Sequence, residues 1–303
     1  MTGERVDAWL ARAAGRLAGA GLDEPRFEAR LLLAHALGWS AESVLRHASD
    51  LLSGETLRRA DALVERRRRR EPAAHILGRR EFWGLEFQVT PDVLDPRPDS
   101  ETLIEAALAE IGGRDAPLRI VDLGTGTGCL LLSLLSMLPN ATGLGVDLSA
   151  AAVEVARRNA DRLGLGDRAR FRIGAWGEGV PPGCDLVVAN PPYIPTAEID
   201  RLQAEVAMWE PRLALDGGAD GLAAYRSLFP AIAGMLRPDG FAAVEIGAEQ
   251  GDDAAALAAA SGLALRRRVR DLGGRDRCLI LALRASGPKK QLEKNGPPSR
   301  VVA

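Results

Sequence analysis

The chain is poor in the residues that build disulfide and metal sites. Three cysteines, Cys129, Cys184 and Cys278, are scattered along 303 residues, odd in number and mostly beside apolar neighbours. That excludes a disulfide framework and points to a reducing compartment, with the thiols packed as small hydrophobes. The three histidines, His35, His47 and His75, lie in the first quarter of the chain. None stands at metal-ligand spacing from a cysteine, so no metal is expected. Charge of one sign is lacking too. With 39 basic and 41 acidic residues the net charge is −2, which offers no global attraction to nucleic acid. Long hydrophobic runs are missing: the longest, residues 129–138, contains two serines and is about half a membrane span. The first ten residues carry acids and no apolar core, which argues against a signal peptide. A cytoplasmic chain with no membrane association is the expectation.

What is present is ordinary globular material, 47% hydrophobic and 26% charged, long enough for one large domain and a smaller one. Residues 1–78 read as helical. Val6, Trp9, Leu10, Ala13 and Leu17 follow helical spacing, as do Phe27, Leu31, Ala34 and Leu37. Gly38 is placed to end a helix, and Ser40 and Ser53 to begin others. A further helix runs into the arginines at residues 66–70 and stops before Pro72. Residues 79–98 change character. Phe82, Trp83, Leu85, Phe87 and Val89 around Gly84 predict a β-hairpin, and Pro91, Pro96 and Pro98 stiffen a connector. Over residues 99–285 strands and helices alternate. Strands are expected at 118–123, 142–147, 169–174, 185–189 and 241–246, with helices at 128–138, 150–163 and 221–236. Two more strands, 266–271 and 277–283, should form an antiparallel pair around Gly273-Gly274. The fold class is therefore α/β: a Rossmann-like domain with a seven-stranded, mostly parallel sheet, preceded by the helical domain and the hairpin connector. Residues 286–303 have no periodicity and are expected to be a disordered tail. There is no internal repeat.

The first strand runs into Asp122-Leu123-Gly124-Thr125-Gly126-Thr127-Gly128. Glycines at every second position let the backbone turn sharply and approach a ligand, and the next helix begins there. A dinucleotide site would show Gly-x-Gly-x-x-Gly. Here the third glycine comes one residue early, and Asp122 would repel phosphate but suits an ammonium group. The second strand ends at Asp147, about 20 residues beyond the glycine turn, where an acid reaches a ribose diol. Trp176 follows the third strand at the ligand-binding edge of the sheet, placed to cover an adenine. Each feature alone has a plainer reading, as a helix cap or a core tryptophan. Together in a βαβ unit they point to S-adenosylmethionine.

The fourth strand ends in Asn190-Pro191-Pro192-Tyr193. Two prolines fix the backbone and lack N–H groups. What remains is a stiff wall of acceptors, the Asn190 side-chain oxygen and the Pro191 carbonyl, which match the two hydrogens of an –NH2 group. Tyr193 could stack on a flat substrate. A planar amide nitrogen holds its lone pair in its π system. Binding both hydrogens to fixed acceptors can pyramidalise the nitrogen and free that pair, so catalysis becomes mainly orientation and polarisation.

Asn-Pro-Pro-Tyr after Asp-x-Gly-x-Gly-x-Gly is similar to amino-methyltransferases in general. Further segments narrow the likeness. These are Ile76-Leu77-Gly78, Glu81-Phe82-Trp83-Gly84-Leu85 with Phe87, and Pro96-Arg97-Pro98-Asp99-Ser100-Glu101. Beyond the catalytic motif come Glu210-Pro211-Arg212-Leu213-Ala214-Leu215, Gly217-Gly218-Ala219-Asp220-Gly221-Leu222 and Asp271-Leu272-Gly273-Gly274-Arg275-Asp276-Arg277. Over about residues 25–284 the chain resembles the HemK/PrmC family, which methylates the glutamine of the Gly-Gly-Gln motif in class I peptide-chain release factors. The resemblance implies that the segment 124–128 (Gly124, Thr125, Gly126, Thr127, Gly128) with Asp147, Trp176 and Asn190 contacts S-adenosylmethionine. It implies that Asn190, Pro191, Pro192 and Tyr193 hold the glutamine. The abrupt change from helical periodicity to the proline-stiffened connector leads us to expect that residues 1–78 recognise the protein substrate. Two departures stand out. Asp95 replaces a usual aliphatic residue, and Ala175 precedes Trp176 where an acid is common.

Other substrates present the same –NH2 geometry: a glutamine of a ribosomal protein, or an amino group of a nucleic-acid base. Base methylation in a duplex needs base flipping and a basic recognition surface, and no separate target-recognition domain is visible. A non-catalytic S-adenosylmethionine-binding protein is opposed by the intact Asn190 motif. The arginines at 66–70 read either as a docking patch or as a solvated helix face. Arg266, Arg268 and Arg270 read as surface decoration.

Overall fold

The structure, a computed structural model, describes residues 3–284; the tail expected at 286–303 lies outside them. The chain opens with a two-residue strand β1 (Glu4–Arg5), then α1 (Val6–Ala18), α2 (Pro25–Leu37), α3 (Ala41–Arg46), β2 (Leu51–Leu52), α4 (Gly54–Arg68) and α5 (Ala73–Leu77). Local chemistry sets these limits. The Ser40 hydroxyl accepts from Ser43 N–H and that of Ser53 from Thr56 N–H, capping α3 and α4. Gly38 closes α2 at φ +69°. Trp9, Leu17, Leu33 and Val64 bury their side chains in a core of this region's own. Its short strands β1 and β2 pair antiparallel.

A hairpin follows, β3 (Arg79–Phe82) and β4 (Leu85–Gln88). Its two-residue turn has Trp83 at φ +54° and Gly84 at φ +71°, the primed geometry that suits a tight hairpin. Phe82 and Phe87 do not stay in a satellite. They are 1% and 0% exposed and join the core cluster of the large domain.

That domain comprises α6 (Glu101–Glu110), β5 (Arg119–Leu123), α7 (Cys129–Met137), β6 (Thr142–Asp147), α8 (Ala150–Arg162), β7 (Ala169–Ile173) and β8 (Cys184–Ala189). It continues through α9 (Ala204–Trp209), α10 (Ala223–Met235), β9 (Leu236–Glu245), α11 (Gly251–Ala260), β10 (Leu263–Arg270) and β11 (Asp276–Leu283). The sheet order is β10-β11-β9-β8-β5-β6-β7. Only β11 runs against the rest, paired antiparallel to both neighbours. Strand residues alternate between faces. Ile120, Leu186 and Val188 face the core with α6, α7 and α8, while Val121, Val187 and Ala189 face α10 and α11. The chain winds from β5 outward through β6 and β7, then returns to place β8 on the other side of β5. The strand order reverses between β5 and β8, which is where open α/β sheets bind ligands. No helix among the described residues is long and apolar enough to cross a membrane.

Candidate active site

The turn after β5 is held from two sides. Gly124 N–H and Thr125 N–H both donate to the Val146 carbonyl, at 2.8 and 3.1 Å. Gly126 N–H donates to Asp147 Oδ2 at 2.9 Å, and Ser149 N–H donates to Asp147 Oδ1 at 2.9 Å. Asp147 therefore clamps the loop while each oxygen keeps a free lone pair. Gly126 sits at φ +54°, yet a Cβ there would meet nothing within 4 Å. Its glycine is required by conformation, and its flank is open. Gly128 is different: at φ +81° a Cβ would lie 3.1 Å from Leu132 Cδ1 and 3.3 Å from Ala156. Gly128 lets the α7 helix pack on α8 and does not line the cavity, contrary to the ligand contact expected of it.

Above this turn lies a cavity of about 320 Å³. Gly124, Thr125, Gly126 and Thr127 form its floor, and Asp147 and Trp176 one wall. Asn190 and Pro192 form another, and the segment from Asp92 to Arg97 closes it from the hairpin side. Trp176 is held at φ +34°, outside the usual range for a bulky side chain. Its ring comes 3.8 Å from where a Gly124 Cβ would stand.

Three more predicted residues stand behind the wall. Asp122 is 0% exposed and accepts a 2.6 Å bond from Thr125 Oγ1, while its Oδ1 has no hydrogen-bond partner. Burial pushes its carboxyl up to about 7 against the Thr125 bond, and the Asp147 charge adds to the rise. In this geometry Asp122 braces Thr125; the direct ammonium contact expected of it is not formed by a cavity-facing side chain. Pro191 is buried, and its carbonyl accepts no hydrogen bond from the described residues. Tyr193 packs its ring on the core and donates from its hydroxyl to Glu245 Oε1 at 3.3 Å. It is a brace in this structure rather than the stacking platform expected.

Further residues complete the site. Ser100, which also lines the cavity, contacts Asn190, and the fully buried Glu245 lies behind it. Arg97 bridges both oxygens of Glu210, at 2.7 and 2.6 Å, tying the connector to the loop beyond the Asn-Pro-Pro-Tyr motif. Burial pushes Glu210 up to about 7 despite that partner. Asp95 is 5% exposed, with its nearest cations at 3.6 Å (Arg80) and 4.0 Å (Arg97), and burial raises its pKa. The signal for Glu245 lies in the sequence: it is the one acid in the otherwise apolar stretch of residues 241–246. Arg97, Ser100 and Glu210 lie within the Pro-Arg-Pro-Asp-Ser-Glu and Glu-Pro-Arg-Leu-Ala-Leu segments, where nothing in the local sequence singles them out.

The arginine run is divided: Arg66, Arg68 and Arg69 are exposed, as a solvated helix face would be, while Arg67 and Arg70 make ties to other elements. Arg67 is buried and binds Glu28 of α2, the Glu71 carbonyl and Glu205 of α9. Arg70 binds the other oxygen of Glu205 at 2.7 Å. Arg66 pairs with Glu71 and Arg68 with Glu65. The run fastens the helical region to the loop that follows the active-site motif. Arg266 and Arg270 are exposed, as surface residues would be, and Arg268 pairs with Asp252 and Asp276 at the surface.

Comparison with known proteins covers both regions. Residues 8–78 match the PrmC N-terminal domain and residues 114–219 a methyltransferase domain. The chain is 47% identical to the release factor glutamine methyltransferase of Rhodospirillum rubrum, over 96% of this chain and 89% of that protein. It is 46% identical to the enzyme of that name from Cereibacter sphaeroides, over 91% and 98%. For Caulobacter vibrioides the figures are 45%, 92% and 96%. The chain belongs to the release factor glutamine methyltransferase family. It is an S-adenosylmethionine-dependent methyltransferase, and the cavity fits that methyl donor. Asp147 has lone pairs for a diol, Trp176 offers a face for a purine, and the open flank of Gly126 leaves room for close approach.

Proposed function

We propose that this release factor glutamine methyltransferase acts on the side-chain amide nitrogen of the glutamine in the Gly-Gly-Gln motif of class I peptide-chain release factors, in the cytoplasm. The observation that carries the reading is the extent of the likeness: 47% identity runs through 96% of the chain, helical region included. The Asn190 geometry supports it. Asn190 lines the cavity, and its Oδ1 takes no hydrogen bond from the described residues and is not sealed from solvent.

In this reading Asn190 Oδ1 and the Pro191 carbonyl accept the two amide hydrogens and turn the nitrogen towards the cavity floor. Asp147 holds the ribose hydroxyls, Trp176 covers the adenine, and the Gly124–Thr127 backbone carries the methionyl portion. S-adenosylmethionine supplies an already activated methyl group. The chain therefore needs to orient and polarise rather than to supply a strong base. The N–C bond would form as the sulfonium S–CH3 bond breaks, leaving S-adenosylhomocysteine, and the methylated nitrogen would lose one proton to solvent. Residues 1–78 hold the release factor, and the Arg67–Glu205 link fixes their attitude to the site. Incubating the protein with labelled S-adenosylmethionine and intact release factor, then mapping the label, tests this. Label on the Gly-Gly-Gln glutamine is expected; label elsewhere, or none, overturns it.

A further inference from the structure

A carboxamide has two ends of nearly the same shape, so packing alone does not decide which faces a ligand. At Asn190 the neighbours decide. Ser100 Oγ lies 2.6 Å from Glu245 Oε2, the length of a hydroxyl donating to a carboxylate. A hydroxyl has one hydrogen. With that hydrogen committed, Ser100 Oγ can only accept, so the Asn190 atom 3.1 Å away is Nδ2. Oδ1 is then turned to the cavity. Glu245 is held as an acceptor by a second donor, the Tyr193 hydroxyl at 3.3 Å.

We propose that Ser100 and Glu245 are positioning residues which, through one shared hydroxyl, lock the Asn190 amide with its oxygen towards the cavity and so make the site take an –NH2 group. The catalytic consequence rests on Asn190 receiving the target amide, as proposed above. The lock has a sense. A protonated Glu245 would donate to Ser100, freeing the Ser100 hydrogen to donate to Asn190. The amide would then turn over and present its own –NH2 to the substrate's –NH2, two donors face to face.

The surroundings set where this happens. Glu245 is fully buried, and burial pushes it up to about 7 against the Ser100 bond, the Arg277 charge and the Tyr193 bond. Arg277 is shared with Asp99 and Asp271, at 3.2 and 3.1 Å, and the Asp99 charge raises Glu245 further. From α10 the Tyr225 hydroxyl donates to the Glu245 carbonyl at 3.2 Å. The neighbouring thiols Cys129 and Cys278 are pushed up by burial and stay neutral. A carboxyl poised near neutrality is the group most able to switch the lock within the working range.

The test uses the full chain in two arms. The first follows the side-chain amide signal of Asn190 by nitrogen-15 NMR, without donor or substrate, across the Glu245 transition at about 7. The second measures single-turnover methyl transfer to intact release factor, with donor affinity by calorimetry. In the wild type the amide signal should move with pH and transfer should slow as pH falls. Ser100→Ala should abolish the pH response of the signal and slow transfer about 10–100-fold, the scale of a misplaced reacting group, with donor affinity unchanged. Ser100→Thr should restore both. Glu245→Gln should leave transfer flat with pH. An Asn190 signal indifferent to Ser100→Ala, wild-type transfer by that variant, or no rescue by threonine would overturn the proposal. A wild-type protein that shows the NMR response but methylates no release factor would remove the substrate reading and leave the lock standing.

Discussion

At the scale of single residues, the site separates groups that touch the cavity from groups that hold them. Asn190→Ala removes an acceptor from the wall, while Pro191 and Pro192 keep the turn. Turnover should fall about 10²–10³-fold, as for other preorganised polar contacts, while calorimetry shows near-normal donor binding. Transfer at the wild-type rate would refute the role given to Asn190. Asp122 makes the opposite case. It is 0% exposed, has one oxygen without a partner and is held at about 7, above the unfolded value of about 3.9. The folded chain thus binds the proton more tightly, so its cost to stability grows as pH rises from about 4 and is complete above 7. Asp122→Asn should therefore stabilise the fold by about 1–3 kcal/mol at pH 8, the cost of a buried unsatisfied group, and by less at pH 5. Thermal melts at the two pH values check it; an equal gain at both would show that charge is not the cause.

At the scale of elements, α4 carries the clearest contrast. Its arginines look alike in sequence but differ in place. Arg67 joins α2, α4 and α9 from a buried position, whereas Arg69 is exposed and its side chain makes no hydrogen bond or ion pair with the described residues. Arg67→Ala should cost about 3–5 kcal/mol, because it strands Glu28 and Glu205. Arg69→Ala should stay within about 0.5 kcal/mol. Denaturant titration of both separates a structural tie from a solvated face; equal losses would contradict the contrast. Elements with strong periodicity, such as α1 and β8, were legible in the sequence, as was the hairpin from Trp83-Gly84. The helix α11 was not. Its Gly-Asp-Asp-Ala-Ala-Ala-Leu-Ala-Ala-Ala sequence is nearly all alanine after its first turn, so it has no apolar stripe to read. The helix α6, with Ala106, Ala107 and Ala109, was missed for a similar reason. The glycine turn and the Asn190 motif were legible because they are local. The Asn190–Ser100–Glu245 chain was not, since its members are far apart in sequence and meet only through the sheet order.

At the scale of the whole molecule, the hairpin drawn from the sequence as a connector contributes Phe82 and Phe87 to the same core as Leu103 and Leu132. The nearby 92–97 segment closes the cavity. The link between the two regions is thus part of the catalytic body, and Arg67 and Arg70 add a second tether through Glu205. The helical region is fastened to the methyltransferase body by covalent chain on one side and by ionic contact on the other. The proposed holding of the amide by Asn190 and Pro191 carries a limit on how many methyl groups the nitrogen can take. An unmethylated amide brings two hydrogens to two acceptors, Asn190 Oδ1 and the Pro191 carbonyl. A methylated amide has one hydrogen left, so one acceptor must go unmatched, and the nitrogen can no longer be drawn into the bent shape that exposes its lone pair. On that proposal the pair of acceptors would be a counter as well as a vice. Mass spectrometry of the product under excess donor should show a single methyl increment on the glutamine, and a second increment would mean that the two acceptors do not act together.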